Sequence, residues 1–217
     1  MADTLALAYT TAVLKSLLVA GVSRAGISSY LHDAPAVTTL PPDRVLVGES
    51  ELAQLNLFLY QVTPGSSIRP GSAMLQSSLR QKEPLTAPNR PTSSSLQLDL
   101  HYLLTAYGNR GFEIELLLGT AVRLLHDQPT LHGPQLQEAL QRLESSEDQR
   151  LFAAFLRQDG SERLQQLTIT PQFLTIEELS RLWSALQARY RPSVGYKVTM
   201  LVSVEPLQEL ATLPAHS

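Results

Sequence analysis

The chain has 217 residues, of which 43% are hydrophobic and 17% are charged, enough for one well-buried domain. Its net charge of −3 and the lack of any Lys/Arg run give no indication of a nucleic-acid partner. It contains no cysteine, which excludes disulfides, thiolate nucleophiles and cysteine metal sites. These features are typical of an ordinary soluble globular protein, and they agree with a reducing cytosol.

The N-terminal segment Leu5 to Val22 is rich in Leu, Ala and Val, which raises the question of a membrane span or a signal peptide. The segment contains Lys15 and several hydroxyl side chains, no basic stretch precedes it, and no cleavage site is clear. We therefore predict a helix with one apolar face, capped by Asp3 or Thr4 and ending near Gly21.

Two segments alternate as β-strands do, Leu55 to Thr63 and Leu96 to Tyr107. In the first of them, apolar residues occupy both faces of the predicted strand, which indicates that both faces become covered. The predicted faces are Leu55, Leu57 and Leu59 on one side, and Asn56, Phe58, Tyr60 and Val62 on the other.

Periodicity and turn residues predict the other elements and the fold class. We expect short strands at Ala36 to Leu40 and Leu167 to Thr170, helices at Phe112 to His126, Gln135 to Glu144, Gln149 to Leu156 and Thr175 to Leu186, and a final strand at Val194 to Val204. The last helix has the T-x-x-E spacing of a capping box, and we expect its Trp183 to lie in the core. Early strands with later helices predict an α+β domain, with a mixed or antiparallel sheet of four to five strands flanked by helices.

The segment Thr63 to Ser94 breaks every pattern, because it holds five prolines, seven serines and two glycines. Four cations against Glu83 give it a charge of +3, so the rest of the chain carries −6. Structureless stretches of this length inside a domain are either functional or disordered. Both alternatives stay open: a solvated loop, or an arm that becomes ordered on a partner. The cations are Arg69, Arg80, Lys82 and Arg90.

Asp99 and His101 are the strongest candidates for chemistry, since residues two apart share one strand face and can form an acid–base pair. The G-x-S-x-G turn of a hydrolase is absent, however, and the pair lies within the predicted strand rather than at its end. A polar pair on a half-exposed face or at a subunit contact is the favoured interpretation. His126 and His132 do not have a zinc-site spacing, and no glycine-rich phosphate loop is present. We therefore predict no enzyme activity, no metal and no cofactor.

Several strings occur in order along most of the chain and resemble one family. They are TTLPPD (38–43), LNLFLYQVTP (55–64), LDLHYLLTAYG (98–108), ELLLGTAVRLLHDQP (115–129), ITP (169–171), LTIEELSRLWSAL (174–186) and YRPSVGYKVTMLV (190–202). The family is the N-terminal domain family of cap, or tail-terminator, proteins in extracellular phage-tail-like contractile injection systems, which include virulence-cassette and antifeeding-prophage particles. Residues 65 to 95 match no pattern of that family.

The resemblance implies a structural cap with a fold similar to phage tail terminators. Such a protein forms a hexameric ring on the distal end of the inner tube and sheath, stops tube polymerisation and anchors the sheath end. The implied partners are copies of the chain itself, the tube protein and the sheath protein, with no nucleic acid and no membrane. The implied location is the bacterial cytoplasm during assembly and then the released extracellular particle. Residues 1–205 would form the domain, and 206–217 a short tail.

Closed rings need different patches of neighbouring subunits to meet. As candidate interface residues we select the four cations of the loop, Arg69, Arg80, Lys82 and Arg90, together with Asn56, Tyr60, Asp99 and His101. Two alternatives to the cap remain: an assembly adaptor or chaperone for tube or sheath subunits, and a small hydrolase that uses Asp99 and His101.

Overall fold

The computed structural model describes residues 5–31, 34–45, 53–65, 94–142 and 164–204. These contain four α-helices and six β-strands besides two short 3-10 helices, Ile27–Ser29 and Pro42–Arg44. In chain order the elements are α1 (Ala6–Arg24), β1 (Ala36–Thr38), β2 (Gln54–Pro64), β3 (Ser94–Tyr107), α2 (Glu113–Asp127), β4 (Thr130–His132), α3 (Gly133–Gln141), β5 (Leu164–Gln172), α4 (Ile176–Ala185) and β6 (Ser193–Val204).

The six strands form one sheet in the order β1-β2-β3-β6-β5-β4. β1 runs parallel to β2, and all the other neighbours are antiparallel. The α+β class and the mixed sheet predicted from the sequence are therefore confirmed. Sequence periodicity missed β4, because three residues are too few to show an alternating pattern.

The main core lies on one side of the sheet, which we call the helix-side face. Helices α1, α2 and α3 pack there against the inward side chains of the strands. Burial of these side chains is the main favourable contribution to folding. The largest buried members are Tyr9, Leu14, Leu18, Leu55, Leu57, Leu100, Tyr102, Leu104 and Leu117.

Helix α1 is a core helix. Within the part of the chain that the structure describes, it is long and apolar enough to cross a membrane by length and composition, but most of it is buried against α2, α3 and β1. The Thr11 hydroxyl lies 2.8 Å from the Tyr102 hydroxyl, and burial raises the pKa of Tyr102. The helix continues through Gly21 to Arg24. The predicted end at Gly21 is wrong, because this glycine instead allows close approach of α2: a Cβ there would lie 2.3 Å from Leu124.

A bulge in β2 changes the predicted faces of that strand. Leu59 pairs with Tyr102 and Gln61 pairs with His101, so Tyr60 is an extra residue without a partner in the register. One extra residue reverses the alternation beyond it. Val62 consequently lies opposite Leu100 on the helix-side face, and not on the face of Asn56 and Phe58 as predicted.

The remaining predicted elements agree with the structure apart from their ends. The capping box of α4 is confirmed, since the Glu178 backbone N–H donates to the Thr175 hydroxyl and the Glu178 carboxylate accepts from the Thr175 N–H. Trp183 is buried, as predicted. β5 is longer than predicted and continues through Pro171 to Gln172. The predicted helix at 149–156 lies outside the described residues, as do the predicted capping residues Asp3 and Thr4.

Candidate functional site

The side of the sheet opposite α1, α2 and α3 carries a cluster of polar side chains, which we call the polar face. Alternation along β3 directs Asp99 and His101 there, because their neighbours Leu100 and Tyr102 point into the core. The register places Thr63 of β2 beside Asp99. On the β6 side it places Thr199 beside Asp99 and Lys197 beside His101. Three adjacent strands therefore contribute to one polar cluster.

His101 links two strands that are not neighbours. Its Nδ1 lies 2.8 Å from Gln172 Oε1 at the end of β5, and its Nε2 lies 3.0 Å from Thr63 Oγ1 on β2. Because the Gln172 oxygen can only accept, Nδ1 donates, and in the neutral imidazole Nε2 accepts from the Thr63 hydroxyl. The bulged Tyr60 places its ring 6.1 Å from the His101 ring. Both nitrogens of His101 are thus used to hold the sheet together.

Asp99 is only 7% exposed, and its carboxylate is bound by the adjacent strand β6. The Thr199 hydroxyl donates to Oδ1 over 2.6 Å, and Lys197 Nζ lies 3.6 Å from Oδ2. A buried carboxylate requires such partners to offset the loss of hydration. Asp99 and His101 therefore share one face, as the sequence predicted, but their described hydrogen bonds go to other residues rather than to each other.

Gly195 allows Gln172 to reach His101. It faces Leu103 of β3 and Gln172 of β5 in the register, so it lies in the strand between them. A Cβ at this position would lie 2.8 Å from the Gln172 carbonyl oxygen and 3.1 Å from a methyl group of Leu174. Only glycine leaves room for the Gln172 backbone and the Leu174 side chain to lie this close to β6.

Tyr60 lies between His101 and the start of α4. Burial raises the pKa of its hydroxyl, and the negative charge of Glu178 raises that pKa further. At neutral pH the Tyr60 side chain is therefore an uncharged, half-buried group at the rim of the polar face.

The other candidate interface residues lie away from this cluster. Asn56 is fully buried in the chain: its amide nitrogen donates to the Leu40 carbonyl over 2.9 Å, and its oxygen accepts from the Leu40 N–H over 3.0 Å. Asn56 can therefore affect a subunit contact only indirectly, by holding the backbone at Leu40 in place. Arg69, Arg80, Lys82 and Arg90 lie outside the described residues.

Sequence reasoning missed a second surface, an apolar patch at the end of the sheet where β3 and β5 finish and β6 begins. Phe173, which precedes α4, is 98% exposed, and Ile176, the first residue of α4, is 84% exposed. Beside them is an open groove of about 360 Å³, lined by Ile176, Ser180, Trp183, Ser184, Ala188 and Tyr190. Ile176 lies seven residues before the buried Trp183, so helical spacing places both on one side of α4 and predicts burial for both. The sequence therefore gives no signal that Ile176 is exposed. Large exposed apolar patches are typical of binding surfaces.

Among the described residues, no group of three or more His, Asp or Glu side chains could hold a metal ion. Asp99 and Lys197 already neutralise each other within the polar face. The cluster is suited to holding strands in register and to presenting hydrogen-bonding groups at its rim.

Comparisons with known proteins identify the family. A model described as the Pvc16 N-terminal domain matches residues 9–216. One similar solved structure is the PVC sheath/tube terminator of an extracellular contractile injection system in its extended state, with 15% identity, a TM-score of 0.44, and coverage of 92% of this chain and 63% of that one. Another is the anti-feeding prophage tube-terminating cap, with 14% identity, a TM-score of 0.47, and coverage of 92% and 59%. The chain thus spans about three fifths of these proteins. The search of curated proteins returned no match.

Proposed function

Because the chain belongs to the Pvc16 N-terminal domain family, we propose that it is a structural cap, or tail terminator, of a contractile injection system. In this role a hexameric ring of the protein closes the distal end of the tube and sheath, stops tube polymerisation and anchors the sheath end. Membership of the family over residues 9–216 is the observation that carries the proposal.

The apolar patch supports a role in assembly. A closed ring is built from heterologous contacts, in which two different patches of neighbouring subunits meet. Phe173 and Ile176 are large apolar side chains exposed to solvent in the isolated chain, next to a groove with an aromatic floor. Trp183 and Tyr190 form that floor, with ring centroids 6.1 Å apart. Aromatic residues are enriched at the centres of protein interfaces.

The geometry of the polar face favours a structural over a catalytic role. A general acid–base pair needs its base within hydrogen-bond reach of the group that it activates. Both ring nitrogens of His101 already have side-chain partners, and Asp99 is held by Thr199 and Lys197. We therefore propose that the protein is not an enzyme and that these residues stabilise the sheet.

The proposal also includes partners, location and boundaries. The partners are other copies of the chain, the tube protein and the sheath protein, and neither nucleic acid nor membrane takes part. Burial of α1 in the core supports the exclusion of a membrane. We propose assembly in the bacterial cytoplasm followed by release within the extracellular particle, with residues 1–205 as the terminator-like domain and 206–217 as a tail.

The test is to purify the full chain and add it to polymerising tube protein. Negative-stain images should show rings, mass photometry should show six copies of the 23.9 kDa chain, and tubes should stop growing at a capped end. A chain that stays monomeric with tube protein present contradicts the cap. Binding to free tube or sheath subunits, without rings and without residence on finished tubes, supports the adaptor or chaperone instead.

A matched pair of variants examines the apolar patch in the same assay. Ile176→Ser removes an 84% exposed side chain from the patch, and Tyr30→Ser removes a 78% exposed one from outside it. Neither side chain is in the core, so both variants should unfold like the wild type. Ile176→Ser should reduce ring formation and Tyr30→Ser should not. If both variants reduce ring formation equally, or if neither does, the apolar patch is not part of the ring contact.

A further inference from the structure

The outer edge of β2 is open for most of its length in the described part of the chain. β1 pairs only with Gln54, Leu55 and Asn56, and the next residues of β2 are paired on one side alone, with β3. Leu57 to Thr63 therefore presents an edge of seven residues, which is about 23 Å at the usual rise per residue.

The structure prevents β1 from continuing along this edge. The Asn56 side chain binds both the N–H and the C=O of Leu40, the groups that would otherwise extend the pairing. Pro41 and Pro42 follow and have no N–H to donate. The chain turns away there into a short 3-10 helix. The edge from Leu57 onward is thus left uncovered by β1.

Backbone groups on this edge point outward. The Thr38 hydroxyl donates to the Leu55 carbonyl from the β1 side, over 3.3 Å. Alternate residues of a strand direct their N–H and C=O groups to the same side. Leu57 and Leu59, which precede the bulge, therefore present a donor and an acceptor each to the open side. Such a row is a template for another strand.

The edge carries no charged side chain that would oppose strand pairing. Leu57 to Thr63 (LFLYQVT) contains no charged residue and no proline. The opposite edge of the sheet is different. There β4 is only three residues long and is flanked by Pro129 and Pro134, and β5 carries Pro171 in the part that extends beyond β4. Natural sheets protect long edges with Lys, Pro or very short strands. β2 has a bulge at Tyr60 and a proline at its end, Pro64, but no charge, so the stretch before the bulge is suited to pairing with another strand.

We propose that the β2 edge, Leu57 to Thr63, binds an extended, uncharged strand supplied by another protein chain, in β-augmentation. Main-chain hydrogen bonds would hold the strand, and the side chains of Phe58 and Val62 would flank it on the two faces. This inference concerns strand capture by the isolated chain and does not depend on the cap function.

The bulge in β2 favours a separate, pliable strand over a second copy of the chain. The bulge at Tyr60 interrupts the register in the middle of the edge, so the rigid edge of a second copy cannot pair along all of it, whereas a free strand can follow the bend.

The experiment measures amide hydrogen exchange at Leu57 and Leu59 by NMR in the full-length protein. The probe is an uncharged, capped peptide of alternating Thr and Val with a Gln at each end. A second peptide has the same sequence with alternate amides N-methylated, which removes the donors on one side. We expect the first peptide to slow exchange at both residues about tenfold at saturation, and the methylated peptide to have no effect.

Val62→Lys and Leu96→Lys are the matched variants. Both replace a partly exposed apolar side chain, 41% and 38% exposed. Val62 lies on the open edge, whereas Leu96 lies on β3, outside that edge, and pairs with Val202 of β6. A charge on the edge opposes docking. Val62→Lys should weaken peptide binding about tenfold and Leu96→Lys should leave it unchanged, with thermal unfolding as the check on folding.

Every other result overturns the proposal. Slow exchange at Leu57 and Leu59 in dilute protein without peptide shows that the chain covers its own edge. Protection that rises with protein concentration identifies a second copy as the occupant. No protection by the peptide, or equal protection by the methylated peptide, shows that the edge does not capture strands. None of these readouts needs tube or sheath protein, so failure of the cap function would be seen separately.

Discussion

Asn56 and His101 show how single polar residues hold this sheet in place. Asn56 is fully buried, and its side-chain amide binds the N–H and the C=O of Leu40, which have no strand partner there. His101 connects Thr63 of β2 with Gln172 of β5. A buried polar group without a partner costs more than a hydrogen bond contributes, so removing either side chain leaves a penalty on its partners.

Asn56→Ala should lower the free energy of unfolding by about 1–2 kcal/mol, because the hydrogen bonds from the buried Asn56 amide to the N–H and C=O of Leu40 are lost. Urea denaturation at neutral pH measures this. Gln61→Ala, an exposed position on the same strand, is the control and should change stability by less than about 0.5 kcal/mol. Equal losses in the two variants would show that Leu40 finds other partners.

Asp99→Asn and His101→Ala should change stability and leave ring formation largely intact, unless either residue also lies at a subunit contact. We expect a loss of about 1–2 kcal/mol for each, since Thr199 and Lys197 or Thr63 and Gln172 lose a partner. Denaturation and mass photometry on the same samples check this. If the purified protein hydrolyses esters or peptides, and both variants abolish that activity while rings persist, the structural role of this pair is wrong.

At the scale of elements, the contact between α1 and α2 depends on a glycine. A Cβ at Gly21 would lie 2.3 Å from Leu124, whereas one at Gly119, within α2, would meet nothing within 4 Å. Both residues lie in helices, so replacement by alanine brings the same gain in helix propensity. The difference between the two variants therefore measures the packing of the two helices.

Gly119→Ala should raise the free energy of unfolding by about 1 kcal/mol. Gly21→Ala should lower it by about 1–2 kcal/mol, because Leu124 must move in a closely packed contact. Thermal or urea unfolding of the two variants beside the wild type measures both values. A stabilised Gly21→Ala protein would mean that α1 and α2 shift apart at little cost.

The capping box of α4 predicts a pH dependence. Hydrogen bonds from the Thr175 backbone N–H and hydroxyl, and then the charge of Arg181, hold the pKa of Glu178 below its ordinary value of 4.5. A lowered folded-state pKa contributes stability that is present above the unfolded value and is lost as the pH falls through the folded one. The wild type should therefore lose more stability than Glu178→Gln between pH 5 and the folded-state pKa, which lies below 4.5.

Urea denaturation at a series of pH values provides the measurement for α4. Glu177→Gln is the control, because it makes the same change of charge one residue away, at a side chain that pairs with Arg181 and does not touch Thr175. The difference between the two variants isolates the capping box. A pH profile of Glu178→Gln that runs parallel to the wild type would contradict the prediction.

For the whole molecule, the chain between β2 and β3 differs from the rest in its charge. Its four cations oppose a net negative charge in the rest of the chain. We propose that residues 66–93 act as an arm that meets acidic surface on a neighbouring subunit, or on the last tube or sheath ring. Segments that become ordered on binding pay the entropic cost at that moment, and exposed ion pairs contribute only about 0–1 kcal/mol each.

Replacing residues 66–93 with a short Gly/Ser linker tests the arm. We expect the free energy of unfolding to stay within about 1 kcal/mol of the wild type, because the proline and serine content of the segment argues against a core of its own. Capping should fail, and tubes should overgrow in electron micrographs. Replacement of Arg69, Arg80, Lys82 and Arg90 by Gln should weaken capping and reduce its salt dependence. If the linker variant caps tubes as well as the wild type does, the arm has no role in capping and the alternative of a solvated loop is favoured.

The sequence predicted the strands and helices that have a long, regular pattern. β3 and β6 alternate over many residues, α2 keeps its helical spacing, and the T-x-x-E box identified the start of α4 within a residue. These signals are local, since each arises from side chains a few positions apart. The resemblance to cap proteins likewise depended on strings of consecutive residues, and the family match confirms it.

Long-range contacts decided the rest, because no local pattern records which distant residues meet. The sequence correctly predicts that Asp99 and His101 share one face. Only the tertiary structure shows that they bind different residues, because these partners come from β2, β5 and β6. The bulge at Tyr60 depends on the register with β3, and the open edge of β2 depends on where Asn56 stops β1. The residues themselves determined an α+β cap-like chain, whereas packing between distant segments determined which of its surfaces remain exposed.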